Sequence, residues 1–517
     1  MDIRRIGATQ AEPLYSVEAT RAIESARAST LPPFELMARA GASVARLARA
    51  IAPHARRIWI ACGPGNNGGD GLVAARHLLS NTQGQAQELV VTLTGQADRL
   101  PSDAARALVE ARASGLVIAE RPPERADLVI DALLGIGAHS PPRGEIAEQL
   151  RHMHTCGAPV LSVDVPSGLL ADTGCYLGPT PPPRAVARHT LSLLTLKPGL
   201  FTADGRDLAG TVWFDALGET PPGPATALLH GQPTQIDTHH RPHTEHKGSR
   251  GDVVVIGGQD PRHGGAGMTG AAILAARTAL HVGAGRVYVG LLGNEGDIGW
   301  DPMNPELMFR HSTLLTGDRP LLKQSAVVCG CGGGTLVADV LPDILSHSPS
   351  LVLDADALNR IAEDSELRGL LRRRGAHQVV TVITPHPLEA ARLLGCNTAE
   401  VMADRLRAAI ELSNALNVIC VLKGSGTVVT APGKTPSINS SGNPALATAG
   451  TGDVLAGWIG ATLAYALRHP DETDAVSAVL SAVHAHGACA DQWVATQPGP
   501  LTAGRLASAA GSSWARR

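Results

Sequence analysis

With 517 residues, 44% of them hydrophobic and 18% charged, the chain is too long for one core and is expected to fold as two to four globular domains. A net charge of −3, a pI near 6.7 and 3% aromatic residues give no broad basic footprint and few stacking platforms, which argues against nucleic acid and membrane as partners. The eight cysteines carry no Cys-x-x-Cys pair and read as reduced, mostly buried thiols, Cys329 and Cys331 being the one close couple. Met1-Asp2-Ile3-Arg4-Arg5 has no apolar run behind it, and no stretch approaches the roughly twenty apolar residues of a membrane span, so a cytoplasmic protein is expected.

Leu14 to Ala50 reads as helical, with Phe34, Leu36, Met37, Ala40, Val44 and Leu47 at helical spacing. Ile58-Trp59-Ile60-Ala61 is a short strand, Cys62 to Gly71 a glycine-rich loop, and Leu72 to Leu79 a helix, which is the phosphate-binding order of an open α/β sheet. Gly63, Gly65 and Gly68 satisfy Gly-x-Gly-x-x-Gly, but so do Gly265, Gly267 and Gly270, and the pattern is weak in a chain with 57 glycines. Asn66-Asn67-Gly68-Gly69-Asp70 is more specific, because two amides and a carboxylate offer more directed polar groups than a pyrophosphate cradle needs and suit a ligand or a hard cation; a plain Asn/Gly turn is the alternative. Two further strands end in carboxylates, at Asp131 and Asp164, and in a parallel sheet both would open on the same crevice as the glycine loop.

Gly63 to Gly71, Asp131-Ala132-Leu133-Leu134-Gly135-Ile136-Gly137 and Asp164-Val165-Pro166-Ser167-Gly168 resemble the signatures of the NAD(P)H-hydrate epimerase family, and Lys197-Pro198-Gly199-Leu200 resembles its closing segment. The resemblance implies hydrate binding by Asn66, Asn67, Gly68, Gly69 and Asp70, by Gly135, Ile136, Gly137, Ala138, His139, Ser140 and Pro141, and by Asp164. It also implies a potassium ion held by Asn67, Asp131 and Ser167, with Asp164 as the proton-transfer group. Ile136 departs from the threonine usual in that family, and the Ala138 to Arg143 loop is less regular than its pattern.

Between about Gly218 and Glu245 the chain turns rich in Pro, Thr and His without an apolar period, so the expected boundaries are a domain at 1–220, a linker at 221–244 and a domain at 245–510. His239, His240, His243 and His246 lack cysteine or carboxylate partners at ligand spacing and read as solvated linker rather than a metal cluster. Strands and helices then alternate. Strands are expected at Val253–Ile256, Arg286–Val289, Ala326–Val328, Leu351–Asp354, Val379–Ile383 and Val418–Lys423, with a helix at Ala272–Leu280, which describes a second parallel, helix-covered sheet. Its strand ends carry Cys329 to Gly334, Asp354 to Leu358, Thr384 to Glu389 and Lys423 to Thr427; the last lacks the P-loop order, yet its amides and the Lys423 ammonium suit a nucleotide's phosphates. In Asn443 to Gly457 a small glycine turn feeds an apolar helix, and Asp453 at its mouth is placed to deprotonate a hydroxyl attacking phosphorus; an ordinary acidic helix cap is the alternative.

Together with Asn304 to Met308 these segments resemble the ribokinase-like NAD(P)H-hydrate dehydratases, and the tandem order matches the bifunctional bacterial members. The fold this implies is α/β: two doubly wound three-layer domains, one Rossmann-like and one ribokinase-like. By position the resemblance implies nucleotide contacts at Lys423, Gly424, Ser425, Gly426, Thr427 and Gly452, and hydrate contacts at Ala271, Gly332, His386 and Asp453. His386 as a core or capping residue stays open. The activity implied is epimerisation of the R and S hydrates NADHX and NADPHX, followed by ADP-dependent dehydration of the S form to NAD(P)H, giving AMP and phosphate. Mg2+ in the second domain and a homo-oligomer are implied as well. The alternatives are a ribokinase-type small-molecule kinase with a regulatory N-domain, an N-domain acting as a binding module, and an NAD-dependent dehydrogenase.

Overall fold

Ile58 and Ile60 point into one apolar layer and Trp59 and Ala61 into another, so the strand Arg57–Cys62 is buried on both faces, as a central parallel strand must be. The computed structural model describes residues 3–7, 11–80, 88–182, 186–221, 223–231, 243–263, 268–293 and 299–515. The chain divides into two compact units, Met1–Gly7 with Glu12–Leu229, and Ala8–Ala11 with His230–Arg517. The segment read as linker contains a strand, Ala227–His230; of its histidines, His239 and His240 lie outside the described residues, and the ring of exposed His246 accepts from the amide of Gly248 at 3.1 Å.

Among the described residues, the N-terminal sheet has eight strands in the order Arg4–Arg5, Thr211–Asp215, Arg188–Leu193, Val160–Val163, Leu128–Ala132, Arg57–Cys62, Glu88–Leu93 and Ile118–Ala119. All neighbours are parallel except the first pair. The direction of strand addition reverses between Arg57–Cys62 and Leu128–Ala132, which opens a crevice beyond their carboxyl ends. Leu14 to Ala50 is not all helix: Glu12–Leu14 is a strand, and two helices follow, Val17–Ala28, capped by the Ser16 hydroxyl, and Glu35–Ile51, which buries Met37, Ala40, Val44 and Leu47.

The glycine-rich loop is shorter than expected, because the helix begins at Asn66 rather than Leu72. Gly68 and Gly71 serve close packing, not a left-handed turn: a β-carbon at Gly68 would lie 2.0 Å from the carbonyl oxygen of Gly63, and one at Gly71 2.7 Å from the Ala132 side chain.

The C-terminal unit carries Met308–Phe309, Arg286–Leu291, Asp252–Gly257, Ser325–Cys329, Ser350–Leu353, Val380–Ile383 and Ile419–Leu422 as adjacent parallel strands, then Val428–Thr430 and Ser437–Asn439 antiparallel. Here the order reverses between Asp252–Gly257 and Ser325–Cys329. The helix Thr451–Arg468 is buried along most of its length with Trp458 in the core, and Gly457 lets it touch the backbone of the helix Thr269–Val282, where a β-carbon would lie 2.1 Å from the Ala275 carbonyl oxygen. Gly265 and Gly267 of the second glycine pattern lie outside the described residues. Among those described, no helix is long and apolar enough to cross a membrane.

Two candidate active sites

The N-terminal crevice is a cavity of about 660 Å³, walled by Asn66, Asn67 and Asp70 from the start of one helix, by Gly135 to Ala138, by Asp164, and by Arg21 and Glu24 of the helix Val17–Ala28. Asp164 stands one residue past the strand Val160–Val163 with φ of 66°, a left-handed turn that aspartate tolerates better than most residues. Its Oδ1 accepts from the Leu193 amide at 3.0 Å and from the Lys197 ammonium. Lys197 is fully buried and donates also to the carbonyls of Leu193 at 2.8 Å and Thr195 at 2.9 Å, so its three protons are all used. This ion pair does not take Asp164 away from the cavity, which its side chain still lines.

Behind the wall, Asp131 accepts from the Ser167 amide at 2.9 Å and from the Ser167 hydroxyl at 2.5 Å. Burial pushes the Asp131 carboxyl up, against the pull of those hydrogen bonds. Asn67 is 9% exposed and its side-chain nitrogen has no partner. Asp131 and Ser167 offer oxygens where a hard monovalent cation would satisfy a buried carboxylate, and the Asn67 side chain packs beside Gly135 of the neighbouring loop. Asp70 is raised well above the usual carboxyl range by burial first, then by the charges of Asp164 and Glu24. Not every expected residue reaches the cavity: Gly68 and Gly69 are buried in helix packing, and His139, Ser140 and Pro141 are exposed off its wall. Ile136 lies on the wall as an apolar contact.

In the C-terminal unit the strand ends converge on Asp453. Gly450 turns with φ of 89° as the cap of the helix Thr451–Arg468, which places Asp453 in the first turn rather than at the cap. Asp453, Asp354 and Cys331 each present a ligand-type atom within 4.8 Å of the others. Asp354, just past Ser350–Leu353, is 2% exposed and accepts from Lys423 at 2.7 Å and from the Thr384 hydroxyl at 2.7 Å. Burial, then the charge of Asp354, pushes Asp453 up to about 6. Burial would lower Lys423, but Asp354 and Glu389 hold it above its ordinary value. A β-carbon at Gly452 would lie 3.3 Å from the Lys423 nitrogen, so the helix mouth, the lysine and Asp354 share one space.

Gly332, with φ of 59°, packs on Met268 and Ala271, which brings the two expected hydrate contacts together beside Cys331. His386 caps the helix Pro387–Leu394: its Nδ1 accepts from the amides of Leu388 at 3.1 Å and Glu389 at 3.3 Å, and the Glu389 carboxylate accepts from the His386 amide at 2.8 Å. The capping alternative therefore holds for Nδ1, and Nε2 keeps the proton. Burial pushes Glu389 up to about 6. The loop Gly424 to Thr427 is gripped from below by Arg405, 1% exposed, whose guanidinium donates to the carbonyls of Gly426 at 3.1 Å, Leu422 at 3.2 Å and Lys423 at 3.1 Å, and to that of Ser425. With its carbonyls turned inward, the loop's amides are left for a ligand.

Asp354, Cys331 and Arg405 were not singled out from sequence as site residues, nor were Glu24 and Lys197. Lys197 carried a signal, a lysine closing the apolar run Leu191 to Leu196; Arg405 lies in a helix far from the loop it holds and carried none.

The family model described as NAD(P)H-hydrate dehydratase matches residues 236–510, and that described as YjeF-related protein N-terminus matches 33–199. The chain is 39% identical to the bifunctional NAD(P)H-hydrate repair enzyme Nnr of Escherichia coli over 90% of this chain and 87% of that protein. It is 33% identical to Nnr of Coxiella burnetii over 93% and 94% of the two chains, and 34% identical to the bifunctional NAD(P)H-hydrate repair enzyme of Leishmania braziliensis over 91% and 86%. Among solved structures, an ADP/ATP-dependent NAD(P)H-hydrate dehydratase from Bacillus subtilis, co-crystallised with ATP and Mg2+, is similar at 27% identity and a TM-score of 0.43, over 55% of this chain and 94% of that one.

Proposed function

The chain belongs to the family of bifunctional NAD(P)H-hydrate repair enzymes, and on that premise we propose that its N-terminal unit interconverts the hydrate epimers and its C-terminal unit dehydrates the S epimer to NAD(P)H at the expense of ADP. What carries this reading is one carboxylate per unit, Asp164 paired with buried Lys197 past a strand end, and Asp453 in the first turn of its helix beside the Lys423–Asp354 pair.

In the N-terminal cavity the hydrate's carbon 6 hydroxyl sits beside the ring nitrogen, whose lone pair expels it to give an iminium-like ring open to water from either face. Asp164, fixed by Lys197 and the Leu193 amide, serves as the proton-transfer group. Asn67, Asp131 and Ser167 would hold a potassium ion behind the wall, where it would neutralise Asp131 and tie down the first turn of the helix Asn66–Leu79.

In the C-terminal unit the amides of Gly424 to Thr427 and of Gly452 bind the nucleotide's phosphates while Lys423, held against Asp354, offsets their charge. Asp453 removes the proton of the carbon 6 hydroxyl as it attacks the terminal phosphorus; phosphate then leaves where hydroxide would not. The Oδ2 of Asp354, which among the described residues accepts only from the Cys331 thiol at 3.9 Å, would hold a Mg2+ entering with the nucleotide, which would spread the developing phosphoryl charge; the thiol itself suits that ion poorly. Ala271, Gly332 and the Nε2 of His386 form the hydrate side. The test is NADH formation from a purified S hydrate with ADP: release of AMP and phosphate supports the reading, and accumulation of a stable phosphorylated hydrate would mark a kinase instead.

A further inference from the structure

Inverting one carbon by loss and return of water needs two proton events, one at the hydroxyl that departs and one at the water that returns to the other ring face. Asp164 is fully engaged on one edge by Lys197 and Leu193. Four more carboxyl groups line the same cavity, Glu24, Glu35, Asp70 and Asp103, and among the described residues neither Asp70 nor Glu24 has a side-chain hydrogen bond or ion pair. One turn before Asp70 on its helix, the nitrogen of buried Asn67 is also unpartnered, which marks this wall as built for an occupant. Asp70 follows the strand Arg57–Cys62 and Asp164 the strand Val160–Val163, with only Leu128–Ala132 between them. Both carboxyls face one cavity of about 660 Å³, near enough for the charge of Asp164 to act on Asp70.

We propose that Asp70 is a second catalytic carboxyl of this cavity, the acid that protonates the departing carbon 6 hydroxyl while Asp164 takes the proton of the water adding to the opposite ring face. The inference rests on the epimerase reading above. The carbon–oxygen bond breaks with its electron pair on oxygen, and the Asp70 proton completes a water molecule. The ring nitrogen's lone pair forms the iminium. Water then bonds to carbon 6, those electrons return to nitrogen, and Asp164 receives the surplus proton. The reverse conversion exchanges the two roles, no oxidant or reductant enters, and proton exchange with solvent resets the pair.

The surroundings favour a neutral Asp70. Burial leads, and the charges of Asp164 and Glu24 act in the same direction. Glu24 is itself raised, by burial first and then by Asp164, against Lys197 and Arg21. Cys62, held as a thiol by burial, adds none, and the remaining ionisable groups on the cavity wall, Glu35 and Asp103, are acidic.

The test compares the whole chain with Asp70→Asn and Asp70→Glu, following both hydrate epimers by chromatography. If the wild-type chain fails to interconvert the epimers, the epimerase reading falls before the inference is reached. With the wild type active, Asp70→Asn is expected to lower kcat 100-fold or more, within the range for loss of a general acid, with KM within about threefold. Asp70→Glu, which keeps the acid, is expected to recover at least tenfold of that loss. Infrared difference spectra between wild type and Asp70→Asn at neutral pH should show a protonated carboxyl band, a readout independent of turnover and of any change in melting temperature. A kcat within threefold of wild type, a loss confined to KM, a glutamate variant no better than the asparagine, or the absence of the band would each overturn the assignment.

Discussion

Replacing Asp453 by asparagine should abolish NADH recovery and at the same time stabilise the C-terminal unit. Burial, then the charge of Asp354, pushes the Asp453 carboxyl up to about 6 from an ordinary 3.8. The folded state therefore holds its proton longer than the unfolded state does, and stability falls as pH rises from about 4 to about 6. Above that window the charged carboxylate leaves a standing penalty of about 3 kcal/mol, from a shift of about 2 units at 1.36 kcal/mol each. At pH 5 roughly half of it has developed. Asparagine keeps the shape and removes the charge, so without nucleotide or metal the variant should melt about 6 °C higher at pH 7.5, at roughly 2 °C per kcal/mol for a unit of this size. The gain should halve at pH 5. Differential scanning calorimetry at both pH values, resolving the transition of this unit, measures it, and dehydration assays on the same samples should show a loss of 100-fold or more. Equal melting temperatures at pH 7.5, or a gain that does not shrink at pH 5, would refute the claim that Asp453 is held in an unfavourable charged state for its task.

Other substitutions probe the supports of the two sites. Gly424→Ala would put a β-carbon 2.7 Å from the Arg405 guanidinium at a φ of 140°, so the loop must shift, and KM for ADP should rise about tenfold or more while epimerisation is unchanged. Lys197→Met should leave the Asp164 carboxylate without its cation and cost the N-terminal unit about 3 kcal/mol in urea unfolding, with epimerase kcat reduced; unchanged stability would show that the pair does not hold the turn. His386→Asn preserves a side-chain cap and should cost under about 1 kcal/mol, whereas His386→Ala should cost about 1 kcal/mol; a larger loss of hydrate affinity in both would assign Nε2 to the substrate.

How much of this was legible in the sequence depends on whether the signal was local. The strand cores were, because runs such as Ile58 to Ala61 and Val253 to Ile256 are apolar on both faces, and each ends at a polar or glycine residue that the sheet then aligns with its neighbours. Asp131, Asp164 and Asp453 were readable for the same reason, each lying directly at the end of a strand or the start of an apolar helix. The start of the helix Asn66–Leu79 is hidden in the sequence, since glycine signals a turn when read alone but here permits close approach to the Gly63 backbone and the Ala132 side chain, a fact of tertiary packing. Glu12–Leu14 pairs with Ala227–His230 across more than two hundred residues, so a three-residue strand there had no local mark. The grip of Arg405 on the loop Gly424 to Thr427 and the approach of Glu24 to Asp70 arise likewise from separate chain segments.

The most direct measurement of a divided chemistry gives a mixture of both hydrate epimers and ADP to the wild type, Asp164→Asn and Asp453→Asn, and follows NADH and each epimer by chromatography. The wild type should convert the whole mixture to NADH. Asp164→Asn should consume one epimer and stop, and Asp453→Asn should keep the epimers interconverting while producing no NADH. A folded variant in which either substitution removes both activities would contradict the account.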